Sequence, residues 1–185
     1  MLNVISSTSS HARTGWIKRA VQLLSTLTIC VFVATTAHAD PQRIAFLGVH
    51  LQNDNEGYEP TTDAERNRMK SISEAFKKML EASGKYTFVS VPASEQQKIE
   101  AGQMVGACGG CEYGYGRDLN VDRVAWIRVQ KISNLILNIN VYLADVSKQR
   151  ITLIHSVDLR GNTDESWMRG ITYLVQNYVL PAAQG

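Results

Sequence analysis

The chain has 185 residues, of which 44% are hydrophobic and 19% charged, and its formal net charge at pH 7 is +2. This length is enough for one domain with a buried core. A charge so close to zero, without a basic patch that contains interleaved aromatic residues, gives no electrostatic case for binding nucleic acid or an anionic membrane.

The first 39 residues have the order of a secretory signal peptide. A basic stretch without acidic residues precedes an apolar run over residues 20–33, and Ala37 and Ala39 then flank one spacer residue. This order predicts cleavage before Asp40. The apolar run of about 14 residues is shorter than the roughly 20 that span a bilayer, so an uncleaved anchor is the weaker alternative.

Cleavage before Asp40 would leave a single α/β domain over residues 40–185. Three basic residues and no acidic residue would leave with the signal peptide, which changes the formal charge from +2 to −1. We expect this mature chain in the periplasm or outside the cell, with no stable membrane span after cleavage.

The first part of the mature chain predicts two strands and two helices. Short apolar or β-branched runs indicate the strands, and apolar residues at three- and four-residue steps indicate the longer helix. The elements are a strand over 43–51, a helix from a cap at Thr61 or Thr62 to about Ser83, a strand over 86–91 and a short helix over 95–101 that opens at Ser94. The glycine-rich residues 102–116 should be irregular, or form a second short helix that ends near Leu119.

The second part predicts three strands and a final helix. The strands cover residues 122–130, 134–145 and 150–159, and the links between them are so short that they form antiparallel hairpins. Asn162 or Thr163 can cap the last helix, with Glu165 as the reciprocal partner. The order β-α-β-α-β-β-β-α predicts an α+β fold, with a mixed sheet of about five strands and helices packed mainly on one face.

The middle strand of these hairpins alternates cleanly between apolar and polar residues. Its apolar positions are Leu135, Leu137, Ile139, Val141 and Leu143. Asn138, Asn140 and Tyr142 fall on the other face, and this period of two is typical of a strand with one buried and one wetter face. The wetter face is a candidate contact surface for a partner or ligand.

Cys108 and Cys111 form a C-x-x-C pair, which is the sharpest chemical feature of the chain. In an oxidising compartment, two cysteines at this spacing usually form a disulfide. The alternative is a redox site with a low-pKa thiolate at a helix start. No proline begins a later strand, where a thioredoxin-like site needs one opposite the thiols. We therefore favour a structural disulfide in a tight glycine-rich loop.

We expect no cofactor and no metal. Haem attachment needs a histidine directly after the C-x-x-C pair, where this chain has Glu112. A zinc site needs about two more ligands, and the mature chain offers only His50 and His155 as histidines. The acidic loop over residues 52–63 departs from the EF-hand calcium pattern at both its first and its last position.

The segment RGNTDESW, residues 160–167, is a second candidate contact site. Arg160, Asp164 and Trp167 lie where a strand end meets an exposed helix N-terminus. The alternative is that the segment caps the helix and anchors it with a core tryptophan. Capping accounts for these residues without further chemistry, so we favour it.

Four segments together carry a family resemblance: RIAFLG at 43–48, the C-x-x-C pair, VQKISNLILNINVY at 129–142 and RGNTDESW at 160–167. The chain resembles a family of uncharacterised exported proteins of Gram-negative bacteria, a domain of unknown function, over nearly all of its mature length. The resemblance implies a periplasmic location and no established activity. In fold, the element order is similar to the amino-terminal domain of the Tol translocation protein and to the curli secretion lipoprotein, which implies an assembly or binding module.

The sequence thus predicts an exported, non-enzymatic accessory or binding protein of the bacterial envelope. Its partner would be another envelope protein or a small ligand. The alternative is a periplasmic thiol-disulfide redox protein that uses Cys108 and Cys111.

Overall fold

The computed structural model describes residues 40–182, so the predicted signal peptide lies outside the described residues. Five strands form one sheet: β1 (Gln42–Asn53), β2 (Tyr86–Phe88), β3 (Arg123–Ser133), β4 (Ile136–Asp145) and β5 (Arg150–Arg160). The helices are α1 (Asp63–Ala82), α2 (Ala93–Ala101), α3 (Cys111–Asp118) and α4 (Asp164–Leu174), and α4 continues through a π-helical segment, Val175–Val179, to a last turn, Leu180–Ala182. Within this part of the chain, no helix is long and apolar enough to cross a bilayer.

The strands lie in the order β2-β1-β3-β4-β5. β1 pairs in parallel with both β2 and β3, whereas β3, β4 and β5 form the two predicted antiparallel hairpins. The predicted α+β fold with a mixed sheet of five strands is therefore confirmed. The middle hairpin strand begins two residues later than predicted, and Leu135 lies in the turn before it with 77% of its surface exposed.

One face of the sheet carries the larger core. The two long helices, α1 and α4, pack there through apolar side chains at helical spacing, among them Ile72, Phe76, Trp167 and Ile171. They cover the inward-pointing residues of all five strands, as predicted for helices on one face. Thr62 caps α1 in a capping box with Glu65, which confirms one of the two predicted cap positions.

The other face is covered only in part. A smaller core joins Trp126 of β3 to Ile99 of α2, Val105 of the following loop and Leu119 at the end of α3. Leu47 also belongs to this core, and the next residue, Gly48, has φ +113° at an irregularity of the β1–β3 pairing. The short helices therefore shield one end of this face and leave the rest for polar side chains.

Candidate functional site

Beyond the short helices, this side of the sheet carries two rows of polar side chains that cross four strands. The strand register aligns His50, Arg128, Asn140 and Ser156 in one row, and Gln52, Gln130, Asn138 and Asp158 in the next. Successive side chains on a strand point to opposite faces, so both rows share the face of Trp126. We call these eight residues the polar sheet face.

Hydrogen bonds between neighbouring strands hold the polar sheet face in place. The amide of Asn140 donates to the carbonyl oxygen of Arg128 and to Oε1 of Gln130, each at 3.3 Å. Ser156 Oγ donates to Asn140 Oδ1, and Asn138 Nδ2 donates to Asp158 Oδ1 at 2.8 Å. Ser156 and Asp158 are exposed on the outer strand. The face is therefore pre-ordered, and its outer side is open to a partner.

An aromatic pair closes one end of the polar sheet face. The rings of Trp126 and Tyr142 are stacked, with centroids 4.9 Å apart and planes 2° from parallel. The guanidinium carbon of Arg128 lies 5.7 Å from the centroid of the Tyr142 ring. The same guanidinium donates to the carbonyl oxygen of Val105 at 3.2 Å, so the loop before the cysteines contacts this end of the face.

Three polar atoms of this face have no hydrogen-bond partner within residues 40–182. They are Nε2 of His50, Nε of Arg128 and Oδ1 of Asn138. Burial lowers the pKa of His50, and the neighbouring Arg128 cation lowers it further, which favours a neutral imidazole at pH 7. All three atoms are buried, so each is an unsatisfied polar group within this face.

The cysteine loop lies beside the aromatic pair. The sulfur atoms of Cys108 and Cys111 are at bonding distance, with the Cα atoms 5.6 Å apart, and both residues are partly exposed. Gly109 (φ +70°) and Gly110 (φ +106°) provide the left-handed backbone of the tight turn between them. Gly106 packs so closely on Trp126 that a Cβ there would meet the indole ring at 2.9 Å.

Glu112 is a residue of this loop that the sequence reasoning considered only as the position where haem attachment fails. It is 4% exposed, and its Oε2 lies 3.3 Å from Sγ of Cys108. Its burial could not be read from the residue type, because glutamate is usually solvent-exposed. Its position directly after the C-x-x-C pair was the one available hint.

The RGNTDESW segment forms a structural corner. Thr163 caps α4 and pairs with Ser166, so the prediction that Glu165 is the reciprocal partner was wrong. The side chain of Ser166 is the shorter group and lies at the third helical position, where it reaches the backbone N–H of Thr163. Glu165 instead lies exposed, with Oε1 3.5 Å from Arg169.

The three candidate residues of this segment have separate environments. Trp167 is fully buried and donates from Nε1 to Asn162 Oδ1 at 2.9 Å. Asp164 accepts from Arg68 Nε at 2.6 Å across a groove of about 500 Å³ between α1 and α4. Arg160 is exposed on β5, opposite Ile136. The structure therefore brings Asp164 and Trp167 to one groove, and Arg160 does not line it.

A buried ion pair beneath this corner was missed by the sequence reasoning. Lys131 Nζ lies 2.8 Å from Glu65 Oε1, and both side chains are almost fully buried. Burial alone would raise the pKa of Glu65, but hydrogen bonds from Lys131, Thr62 and Asn162 outweigh it and lower the pKa to about 2. The pair joins the end of β3 to α1 and, through Asn162, to the start of α4.

Together, fold and site define an α+β domain that has one polar sheet face and one cysteine loop. The model of the family DUF3280, described as "Protein of unknown function (DUF2380)", matches residues 42–179, so the chain belongs to this family. The predicted resemblance to a domain of unknown function is thereby confirmed. No curated protein sequence matches the chain.

Several solved structures are similar to the chain at low sequence identity. The C-terminal domain of LpoB from Salmonella enterica is 16% identical over 68% of this chain and 87% of its own, with a TM-score of 0.45. The hypothetical protein CT253 from Chlamydia trachomatis is 12% identical over 77% of this chain and 98% of its own, with a TM-score of 0.49. TolB from Acinetobacter baumannii is 14% identical over 75% of this chain and 29% of its own, with a TM-score of 0.40. A likeness at this level carries no information about activity.

Proposed function

We propose that the chain is an exported, non-enzymatic accessory or binding protein of the bacterial envelope, which contacts its partner through the polar sheet face. The order of the first 39 residues, typical of a signal peptide, supports export. The cysteine pair at bonding distance suits an oxidising compartment. The partner is another envelope protein or a small ligand.

The observation that carries this proposal is the cross-strand order of the polar sheet face. A face that only contacts solvent needs no hydrogen bonds between its side chains. Here the side chain of Asn140 forms hydrogen bonds with three residues on the neighbouring strands β3 and β5. Side chains that are already fixed lose little entropy on binding, so such a surface suits recognition. Its charges are mixed, with Arg128 and Asp158 on neighbouring rows, which favours a polar partner over a strongly acidic or basic one.

Site-specific photo-crosslinking in the producing cell tests this surface. We expect a crosslinking residue at Ser156 to give one discrete adduct, because this position is exposed on the outer strand. The same crosslinking residue in place of Glu74 should give no adduct, because Glu74 is exposed on α1, on the opposite side of the sheet. Mass spectrometry of the purified protein should also find Asp40 as its first residue.

A binding variant sharpens that experiment. Asn138→Ala combined with Asp158→Ala removes one cross-strand pair of the face and should reduce the Ser156 adduct about 10-fold, the effect of roughly 1.4 kcal/mol of lost binding. Unchanged circular dichroism would show that the variant is folded. Equal adducts from positions 74 and 156, or an adduct that the double variant leaves unchanged, would rule out this surface.

The second candidate function is thiol-disulfide exchange at Cys108 and Cys111. One observation favours it: Cys111 is the first residue of α3, where the helix dipole stabilises a thiolate. A redox protein should reduce insulin with a dithiol donor and have a potential near those of known oxidants.

For the structural disulfide that we favour, we expect no insulin turnover and a potential below about −300 mV. Cys108→Ser with Cys111→Ser should then lower the free energy of unfolding by about 2 kcal/mol, because the closed loop is very short. Denaturant titration measures this loss. If the wild type reduces insulin and Cys111→Ser abolishes this activity, the redox function is the correct one instead.

A further inference from the structure

The side chain of Glu112 lies against the cysteine loop without a cationic partner among residues 40–182. The residue is 4% exposed, yet its polar contact is Sγ of Cys108 at 3.3 Å, and a disulfide sulfur carries no proton to donate. Among residues 40–182, no cationic group lies within 4.0 Å of this carboxylate: Glu112 takes part in none of their ion pairs. A largely buried carboxylate without a counter-charge is costly, so its position against the sulfur atoms points to a cation that another state of the loop would hold.

We propose that reduction of the loop creates a metal site in which Cys108, Cys111 and Glu112 bind a thiophilic divalent cation of the zinc class. One ligand atom from each of the three residues already lies within 4.8 Å of the others. Two thiolates and a carboxylate are zinc ligands, and three protein ligands leave the fourth tetrahedral position to water.

The spacing of the two cysteines suits this arrangement. With Zn–S bonds of about 2.3 Å, the two sulfurs of a tetrahedral site stand about 3.8 Å apart. The Cα atoms of Cys108 and Cys111, 5.6 Å apart, can present sulfurs at that spacing. Gly109 and Gly110 form the left-handed turn between the two cysteines. Glu112 follows in the first turn of α3 and already points at Cys108.

The charges of the three ligands favour a divalent ion. Two thiolates and a carboxylate would repel each other in a partly buried loop, and the ion offsets that repulsion. The expectation of no metal rested on a need for about two further ligands. Glu112, whose burial is a tertiary property, supplies one of them, and a water molecule serves as the other in an open site.

The chemistry balances in two steps. A dithiol donor gives two electrons and two protons to the Cys108–Cys111 disulfide, which yields two thiols while the donor becomes a disulfide. The cation then replaces both thiol protons, which pass to solvent, and the Glu112 carboxylate completes the site. This site does not depend on the polar sheet face, so either proposal can fail without the other.

Zinc titration of the reduced protein tests the site. The full mature chain is reduced with a phosphine, the phosphine is removed, and Zn²⁺ is added against a chromophoric chelator. We expect one ion per chain and the release of two protons per ion. The oxidised chain should bind none. Co²⁺ in place of Zn²⁺ should give the thiolate charge-transfer absorption of a tetrahedral site.

A matched pair of variants isolates Glu112. Glu112→Gln keeps the side-chain shape and should weaken Zn²⁺ binding at least about 10-fold. Loss of a residue that only hydrogen-bonds to a metal ligand already weakens binding by about this factor. Asp118→Asn, at the exposed far end of α3, should bind like the wild type. Circular dichroism of oxidised Glu112→Gln checks that it is folded. Equal affinity of Glu112→Gln and wild type, or zinc bound equally by the oxidised chain, would overturn the proposal.

Discussion

Lys131→Met should lower the free energy of unfolding by about 3–5 kcal/mol, because it leaves the Glu65 carboxylate buried without its counter-charge. Lys131 and Glu65 are each almost fully buried, and their charged atoms lie 2.8 Å apart. Thr62 and Asn162 also donate to this carboxylate, at 2.7 Å each, but neither supplies a positive charge. Urea titration of wild type and variant measures the loss.

Two controls separate charge from packing. Lys131→Met with Glu65→Gln removes both charges, but Thr62 and Asn162 donate to different oxygens of Glu65, and the single amide oxygen of glutamine can accept from only one of them. The double variant should therefore recover part of the loss. Arg66→Ala breaks an exposed pair with Asp63 and should cost less than about 1 kcal/mol. A double variant as unstable as Lys131→Met would show that the methylene packing of Lys131 matters more than its charge.

The same pair predicts how stability depends on pH. The pKa of Glu65 is about 4.5 without the fold and is lowered to about 2 within it, so the unfolded chain binds more protons at low pH. The stabilisation by Glu65 is therefore fully present above about pH 4.5 and is lost as the pH falls towards 2. Between pH 6 and pH 2, the urea midpoint of unfolding should fall less steeply for the Lys131→Met, Glu65→Gln double variant than for the wild type.

Trp167→Ala should lower the free energy of unfolding by about 3–5 kcal/mol. The indole is fully buried at the start of α4, within the core that this helix forms with the sheet. Its removal leaves a cavity and also takes a donor from Asn162. Thermal and urea unfolding give the size of the effect, and a loss below about 1 kcal/mol would show that α4 does not depend on this anchor.

A comparison of two tryptophans isolates the hydrogen bond. Trp167→Phe loses the 2.9 Å bond from Nε1 to Asn162, whereas Nε1 of Trp126 has no partner within residues 40–182. Both indoles are fully buried, so both phenylalanine variants lose similar packing. Trp167→Phe should therefore be about 1 kcal/mol less stable than Trp126→Phe. Equal losses of stability in the two variants would show that the hydrogen bond to Asn162 makes no net contribution to the free energy of unfolding.

Much of the candidate surface could be predicted from the sequence. The alternation around Asn138, Asn140 and Tyr142 was visible along one strand, and these residues do share one face of β4. The rest of the polar sheet face could not be predicted, because His50, Arg128 and Ser156 come from three other strands. Which of their residues stand in one row depends on strand register, and that is fixed by pairings between distant parts of the chain.

Local patterns by themselves determined the elements of this protein. Apolar periodicity, capping residues and short links act within a few residues, and they predicted the order of strands and helices, the antiparallel hairpins and the cap of α1. The tertiary structure alone decided which polar groups became buried. Glu65 and Lys131 form a buried pair although 66 positions separate them, and Glu112 lies buried against the cysteine loop. The residue types Glu and Lys do not predict such burial. Burial of a charge depends on what the rest of the chain packs around it, and no local pattern carries that information.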